Sequence, residues 1–176
     1  ASLAGADEIP EEFLVPQAVQ HIGRDPVDPY FDLSLIRAKM LRTASGIKRL
    51  LLDQSVVSGI GNIYADEALW WARIHYAKPS RTLSAAQTRE LFAAVQQVLT
   101  EALRAGGTSF DALYVNINGQ SGYFDRSLNA YGRAGEPCRR CLDEGRTSII
   151  VREPFMNRSS YRCPHCQRTP RGLDRR

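Results

Sequence analysis

The chain has 176 residues, is 43% hydrophobic and carries a net charge of +4, which suits one main domain with a small appendage. No apolar run approaches the ~18–20 residues of a membrane span and no basic-then-apolar signal segment is present, so a cytoplasmic protein is expected rather than a membrane or secreted one. The charge is unevenly spread: net −6 over residues 1–35, +4 over 36–130 and +6 over 131–176, a gradient that fits either a polyanionic partner or a merely solvated surface.

Residues 1–32 contain Pro10, Pro16, Pro26 and Pro29, scattered acids and no sustained period, and they read as a linker or arm. Asp32 then caps a helix in which Leu33, Ile36, Met40 and Leu41 recur at helical spacing. Ala44-Ser45-Gly46 interrupts it, and Ile47 to Gln54 reads as a short second helix offering Leu50, Leu51 and Leu52 to a core. Ser55 to Gly61 is a turn. Asn62 reads as the cap of a helix reaching about Ile74, with Ile63, Leu69 and Trp70 inward. Asp66 and Glu67 lie near its start, where acids suit the dipole. Ser84 and Gln87 form a capping box for a helix whose apolar face is Leu91, Val95, Val98, Leu99, Ala102 and Leu103, ended by Gly106-Gly107. The stretch Thr108 to Arg133 mixes aromatics, Asn and Gly without a period. Its centre (Val115, Asn116, Ile117, Asn118, Gly119, Gln120, Ser121 and Gly122) reads as a flexible loop. Short β-like runs such as Ser148 to Val151 and an Arg-rich tail complete the chain.

The four cysteines form two C-x₂-C knuckles, Cys138/Cys141 and Cys163/Cys166, separated by 21 residues. That spacing fits one structural Zn²⁺ in a tetrahedral Cys₄ site with no open position for catalysis, in preference to disulfides or a redox pair in a cytosolic setting. Arg158 lies between the knuckles, where a metal-fixed β-hairpin would carry it at its tip; an ordinary exposed arginine is the simpler account. His165 reads as a solvated or neighbouring residue rather than a fifth ligand. In SGIGNIYADEAL, Gly59 and Gly61 bare the backbone before a helix N-terminus. Such a turn either serves only to join two helices or makes a phosphate site, with Asn62 donating an amide and Lys48 supplying charge. The zinc knuckles and the basic C-terminal half favour DNA phosphate.

LLLDQSVVSGIGNIYADEALWWARI closely resembles the helix-two-turn-helix motif of bacterial formamidopyrimidine-DNA glycosylases. YGRAGEPCRRC with FMNRSSYRCPHCQ resembles their C-terminal zinc finger, and the resemblance runs from about Asp28 to Gln167. It implies a mainly α fold, a helix-two-turn-helix bundle followed by a small β-hairpin Cys₄ zinc finger. It also implies base-excision repair of oxidised purines, notably 8-oxoguanine and formamidopyrimidines, with strand cleavage through β- and δ-elimination. By motif, Asn62 corresponds to an asparagine on the phosphate beside the flipped nucleotide, Tyr64 to a tyrosine touching the backbone, and Lys48 to a lysine near the lesion's phosphate. Arg158 corresponds to the arginine gripping the flanking phosphates, and 115–122 to the loop that covers the extruded base. Holding a base outside the stack requires its flanking phosphates to be pinned, and these residue types suit that task.

The family's chemistry rests on an N-terminal proline amine and a neighbouring glutamate in a β-rich domain, whereas this chain begins ASLAGADEIP. The expectation is therefore a monomeric DNA-binding half, partnered by damaged or abasic duplex DNA and by a catalytic domain not included, and inactive alone. Its expected divisions are 1–32 arm, 33–130 helix-two-turn-helix domain, 131–167 zinc finger and 168–176 basic tail. The alternatives are a non-enzymatic zinc-ribbon or adaptor module, and an endonuclease VIII-like enzyme for oxidised pyrimidines. The long Thr108 to Phe124 segment argues against the latter.

Overall fold

The computed structural model describes residues 23–106 and 128–172; the expected base-covering loop, 115–122, lies outside them. Four helices come first: α1 Leu33–Leu41, α2 Ile47–Leu51, α3 Asn62–Ala72 and α4 Ala85–Gly106, with a short 3₁₀ turn at Ser80–Thr82. After them come a one-turn helix α5, Arg139–Asp143, and an antiparallel hairpin of β1 Val151–Phe155 and β2 Arg158–Arg162. This is the helix bundle plus small cysteine-bearing hairpin expected from the sequence.

Local chemistry accounts for the helix starts. Asp32 accepts from Ser34 N at 2.9 Å to cap α1. At α4 the box is reciprocal: Gln87 N donates to Ser84 Oγ at 3.0 Å and Ser84 N to Gln87 Oε1 at 2.9 Å. The α4 face is buried as patterned except Leu103, which is 45% exposed. Helix α2 stops at Leu51 and α3 at Ala72, each short of the expected end; α3 closes on Arg73 in the left-handed region at φ 60°. The last part of the arm is not free: Gly23 N donates to Gln54 O at 2.6 Å and Ser58 N to Arg24 O at 3.2 Å.

Helix α3 is enclosed over its first two turns, with all residues from Ile63 to Trp70 buried, and it belongs to two cores. Ile63, Tyr64, Ala65, Ala68 and Leu69 join the helix-bundle core, whereas Trp70 joins a second cluster of Ala130, Ile150 and the four cysteines. Because α3 is buried throughout this stretch, Asp66 and Glu67 are 1% and 2% exposed. They lie beyond the first turn rather than serving the dipole at the helix start, as the sequence suggests; each clamps another segment. Asp66 pairs with Lys48 of α2 at 2.8 Å and accepts from Tyr161 N of β2 at 3.0 Å. Glu67 accepts three backbone N–H groups, from Asn129 and Ala130 at 2.7 Å and Tyr131 at 2.9 Å. Burial pushes Glu67 above the ordinary carboxylate range while these N–H groups pull it back. Asp66 is pushed up to about 6 by burial, against the pull of Lys48, whose own pKa burial lowers.

Lys48 therefore requires a correction. Its side chain is wholly buried, paired with Asp66 and donating from Nζ to Ser160 Oγ at 2.8 Å and Ser159 O at 3.1 Å. The ammonium lies 4.7 Å from the Phe155 ring centroid. Those partners occupy it inside the protein, so it cannot meet a phosphate at the surface as expected; it holds the hairpin instead. Gln167, also buried, completes the attachment by donating from Nε2 to Ile74 O at 3.0 Å.

Lys48→Ala leaves the Asp66 carboxylate buried without its cation and is expected to destabilise by about 3–5 kcal/mol in urea unfolding. Combining Lys48→Met with Asp66→Asn, which keeps an acceptor for Tyr161 N, recovers most of that loss. A second outcome concerns pH. His75 is 5% exposed and accepts from Ala77 N through Nδ1 at 2.9 Å. Burial, then the Arg162 charge, lowers its pKa from 6.5 to about 4. A depressed folded pKa gives stability that is complete above 6.5 and lost as pH falls through 4. His75→Asn, whose side chain can accept the same bond, is expected to lose less stability than the wild type between pH 7 and 4.5.

Candidate nucleic-acid interface

A cleft of about 590 Å³ opens where the N-terminus of α3 meets the hairpin, lined by Gln54, Gly59 to Tyr64, Tyr131, Arg152, Arg158, Ser159 and Tyr161. A second, of about 530 Å³, shares Gln54, Ile60, Gly61 and Arg158 with it and extends past Arg49 to Met156 and Asn157. Gly59, Gly61, Asn62, Tyr64 and Arg158 thus face one concavity although the hairpin lies almost a hundred residues further along the chain. Lys48 is the sequence-derived candidate left beneath it.

The two glycines act differently. Gly59 sits at φ +87°, where a Cβ would come within 2.7 Å of Asp25 Oδ2, so the turn itself demands glycine. Gly61 has φ −93° and ψ 178°, which any residue adopts, and a Cβ there would meet nothing within 4 Å. The turn leaves open space in front of Gly61, which backbone geometry does not require.

Gly61, in extended conformation, is the N-cap of α3, without a side-chain cap bond; Asn62 is the first helical residue, not the expected cap. Its side chain turns instead to the hairpin, donating from Nδ2 to Ser159 O at 3.1 Å. Ser159 O accepts from Lys48 Nζ as well, so one carbonyl ties both residues to β2. The buried Asn62 Oδ1 has no partner. With the first N–H groups of α3 lacking intrahelical acceptors, the cleft floor offers donors and positive potential.

Arg158 begins β2, directly after the two-residue turn Met156-Asn157 and opposite Phe155. It is exposed, and no acid pairs with it among the described residues. Met156 holds φ 54° and is 64% exposed at the turn. Tyr64, 4% exposed, presents little surface to the cleft. Sequence reasoning misses Arg152, Tyr131 and Tyr161. Arg152 faces Tyr161 across the hairpin and bonds Ser159 Oγ at 2.8 Å. Tyr161 packs edge-on against Tyr131 at 4.9 Å. Two-residue alternation within the hairpin could have placed Arg152 and Tyr161 on one face; nothing local could have brought Tyr131 there.

Behind the hairpin, the four cysteine Sγ atoms all lie within 4.8 Å of one another and all four residues are buried. Neighbouring pairs sit at 3.7 and 4.0 Å, far beyond a disulfide's ~2.05 Å. They match the ~3.8 Å edge of a tetrahedron with ~2.3 Å metal–sulfur bonds. Among the described residues no carboxylate or imidazole shares the cluster, and His165 is exposed outside it. This donor set fits a metal ion of zinc's preference, with all four positions taken by protein sulfur.

Residues 22–113 match the family described as "Formamidopyrimidine-DNA glycosylase H2TH domain". The chain is 60% identical over 157 residues to the formamidopyrimidine-DNA glycosylase of Acidothermus cellulolyticus, covering 89% of this chain and 54% of that protein. The Lactococcus lactis glycosylase in complex with abasic-site DNA superimposes with a TM-score of 0.73 at 33% identity, over 86% of this chain and 53% of that one. Its complex with DNA containing FAPY-dG gives the same values. The chain spans about half the length of the relatives it matches. The fold matches, over 86% of the chain, structures of a glycosylase bound to abasic-site and FAPY-dG DNA, and the chain belongs to the formamidopyrimidine-DNA glycosylase family.

Proposed function

We propose that this chain is the DNA-gripping part of a base-excision glycosylase and lyase for oxidised purines, and that its cleft holds the phosphates beside an extruded nucleotide. The observation that carries this is the joining, in one concavity, of the α3 N-terminus, with unobstructed space before Gly61, to Arg158, which pairs with no acid among the described residues. A phosphate entering there meets backbone N–H groups from one side and a guanidinium from the other, the two kinds of donor that best hold a phosphate oxyanion. Asn62, its amide fixed by Ser159 O, keeps a second N–H for the same oxygen. Tyr64 packs beneath the turn, and Lys48 positions the hairpin. The basic residues of 131–176 add sequence-independent attraction.

In this reading the four cysteines hold one structural Zn²⁺ whose sole contribution is to fix the hairpin. The segment 115–122 covers the extruded base. The divisions are the arm to residue 32, the helix domain over 33–130, the finger over 131–167 and the tail, acting as a monomer with a catalytic domain as partner.

Fluorescence anisotropy on a duplex with an abasic analogue and on an undamaged duplex, across a salt series, tests the reading. Arg158→Ala is expected to weaken binding and to reduce the slope of log affinity against log salt by about one. Equal affinity of wild type and Arg158→Ala for both duplexes at every salt concentration would sink the proposal. Gly61→Ala separates site from scaffold. Its Cβ meets only open space, so thermal stability stays within about 1 kcal/mol of wild type. A blocked charge-assisted phosphate bond is worth about 1.5–3 kcal/mol, so duplex affinity falls by about tenfold or more.

A further inference from the structure

We propose that Trp70 and Arg140 are positioning residues for the metal: they hold one cysteine from each knuckle and fasten the metal centre to helix α3. Trp70 is 3% exposed, and its indole Nε1 donates to Cys138 Sγ at 3.4 Å. Arg140 donates from Nε to Cys166 Sγ at 3.3 Å and from Nη2 to Trp70 O at 2.7 Å. Its guanidinium also lies 4.0 Å from the Trp70 ring centroid. The two side chains therefore make a closed unit, in which the cation stacks on the indole, donates to the indole residue's own carbonyl and reaches the second sulfur.

The electrostatics explain why such a unit belongs there. Four thiolates around a divalent ion leave a net charge of −2 in a buried cluster, and buried negative charge requires hydrogen-bond donors and nearby cations. The indole N–H is a donor with no acceptor capacity, and the guanidinium is always charged. Trp70 O, in the last turn of α3, accepts Arg73 N at 3.2 Å and takes Arg140 as a second donor, at a helix end that favours a cation. Arg140 thus serves the helix end and the metal cluster together. Helix α3 carries Asn62 at its other end, so the metal is tied to the helix that floors the cleft. This last consequence rests on the DNA reading above; the metal-holding role does not.

Trp71 supplies the control. It neighbours Trp70, with ring centroids 5.0 Å apart, but is 43% exposed and, among the described residues, makes no hydrogen bond to a cysteine sulfur. The experiment measures zinc affinity of the whole chain by chelator competition for wild type, Trp70→Phe, Arg140→Gln and Trp71→Phe. Each variant is first checked for cooperative unfolding with zinc in excess. Trp70→Phe and Arg140→Gln are expected to bind zinc about 10–100-fold more weakly, with Trp71→Phe unchanged. In Trp71→Phe the one remaining indole is Trp70, and its fluorescence is expected to shift when zinc is removed. Arg140→Gln leaves the core untouched, so it keeps the test meaningful should Trp70→Phe fold poorly. Zinc affinities of Trp70→Phe and Arg140→Gln equal to that of Trp71→Phe would overturn the proposal, as would a Trp70 emission indifferent to the metal. In a parallel arm, Trp70→Phe loses abasic-duplex affinity at limiting zinc and regains it at excess. Should wild type bind no duplex, the DNA reading falls while the zinc ranking still decides the role of Trp70 and Arg140.

Discussion

Two adjacent carboxylates in the fully buried stretch of one helix dictate how the rest of the molecule is assembled. Asp66 and Glu67 cannot reach water, and a buried carboxylate without partners would cost several kcal/mol. Neighbours within α3 have their own N–H groups engaged in the helix, so the partners must come from elsewhere in the chain. Asp66 recruits the Lys48 ammonium and the Tyr161 N–H; Glu67 recruits three consecutive N–H groups of residues 129–131. Side by side on one helix, they bring α2, the hairpin and the segment entering the cysteine cluster to a single axis.

That assembly sets the geometry of the cleft. Ser159 O accepts from both Lys48 and Asn62, so the hairpin is pinned at the residue next to Arg158. The position of the Arg158 backbone relative to the α3 N-terminus is consequently fixed by these bonds, so the frame that would meet a phosphate needs little rearrangement to do so. Preorganisation of this kind removes the ordering entropy that a flexible basic surface would lose on binding. It also explains why a lysine suited by charge to a phosphate lies underneath the site: its three donors are more valuable holding the frame than competing with water at the surface.

A two-stranded hairpin of five-residue strands is marginal by itself. Here it is secured at both ends of α3. Near Asn62 the bonds are those of Lys48, Asp66 and Ser159; near Ala72 they are those of Gln167, Trp70 and Arg140. The cysteine cluster sits at the second end, which makes metal binding and the hairpin's alignment parts of one structural problem. The same helix also contributes Leu69 to one core and Trp70 to the other, so neither core can shift without moving the cleft floor.

The features that the sequence determined by itself are those whose physics is local. The cysteine spacing implies one four-sulfur cluster, Ser84 and Gln87 imply their reciprocal cap, and the glycines of SGIGN imply a bare turn before a helix. Arg158 between the knuckles can be placed near a hairpin tip for the same reason. Asn62 reads as a cap because a capping residue is recognised by its sequence neighbours, whereas its side chain answers to a carbonyl 97 residues away. Asp66 and Glu67 look like ordinary acids near a helix start, and Lys48 like a phosphate-facing cation, since the partners that bury them come from other elements: 18 residues away for the Lys48–Asp66 pair, and 62 to 112 for the backbone and hydroxyl groups they bind. The apolar residues around Asp66 and Glu67 hint at a fully buried helix, but not at which segments cover it. Only tertiary structure decides which donors a buried charge meets, because desolvation takes effect when distant segments close over the charge.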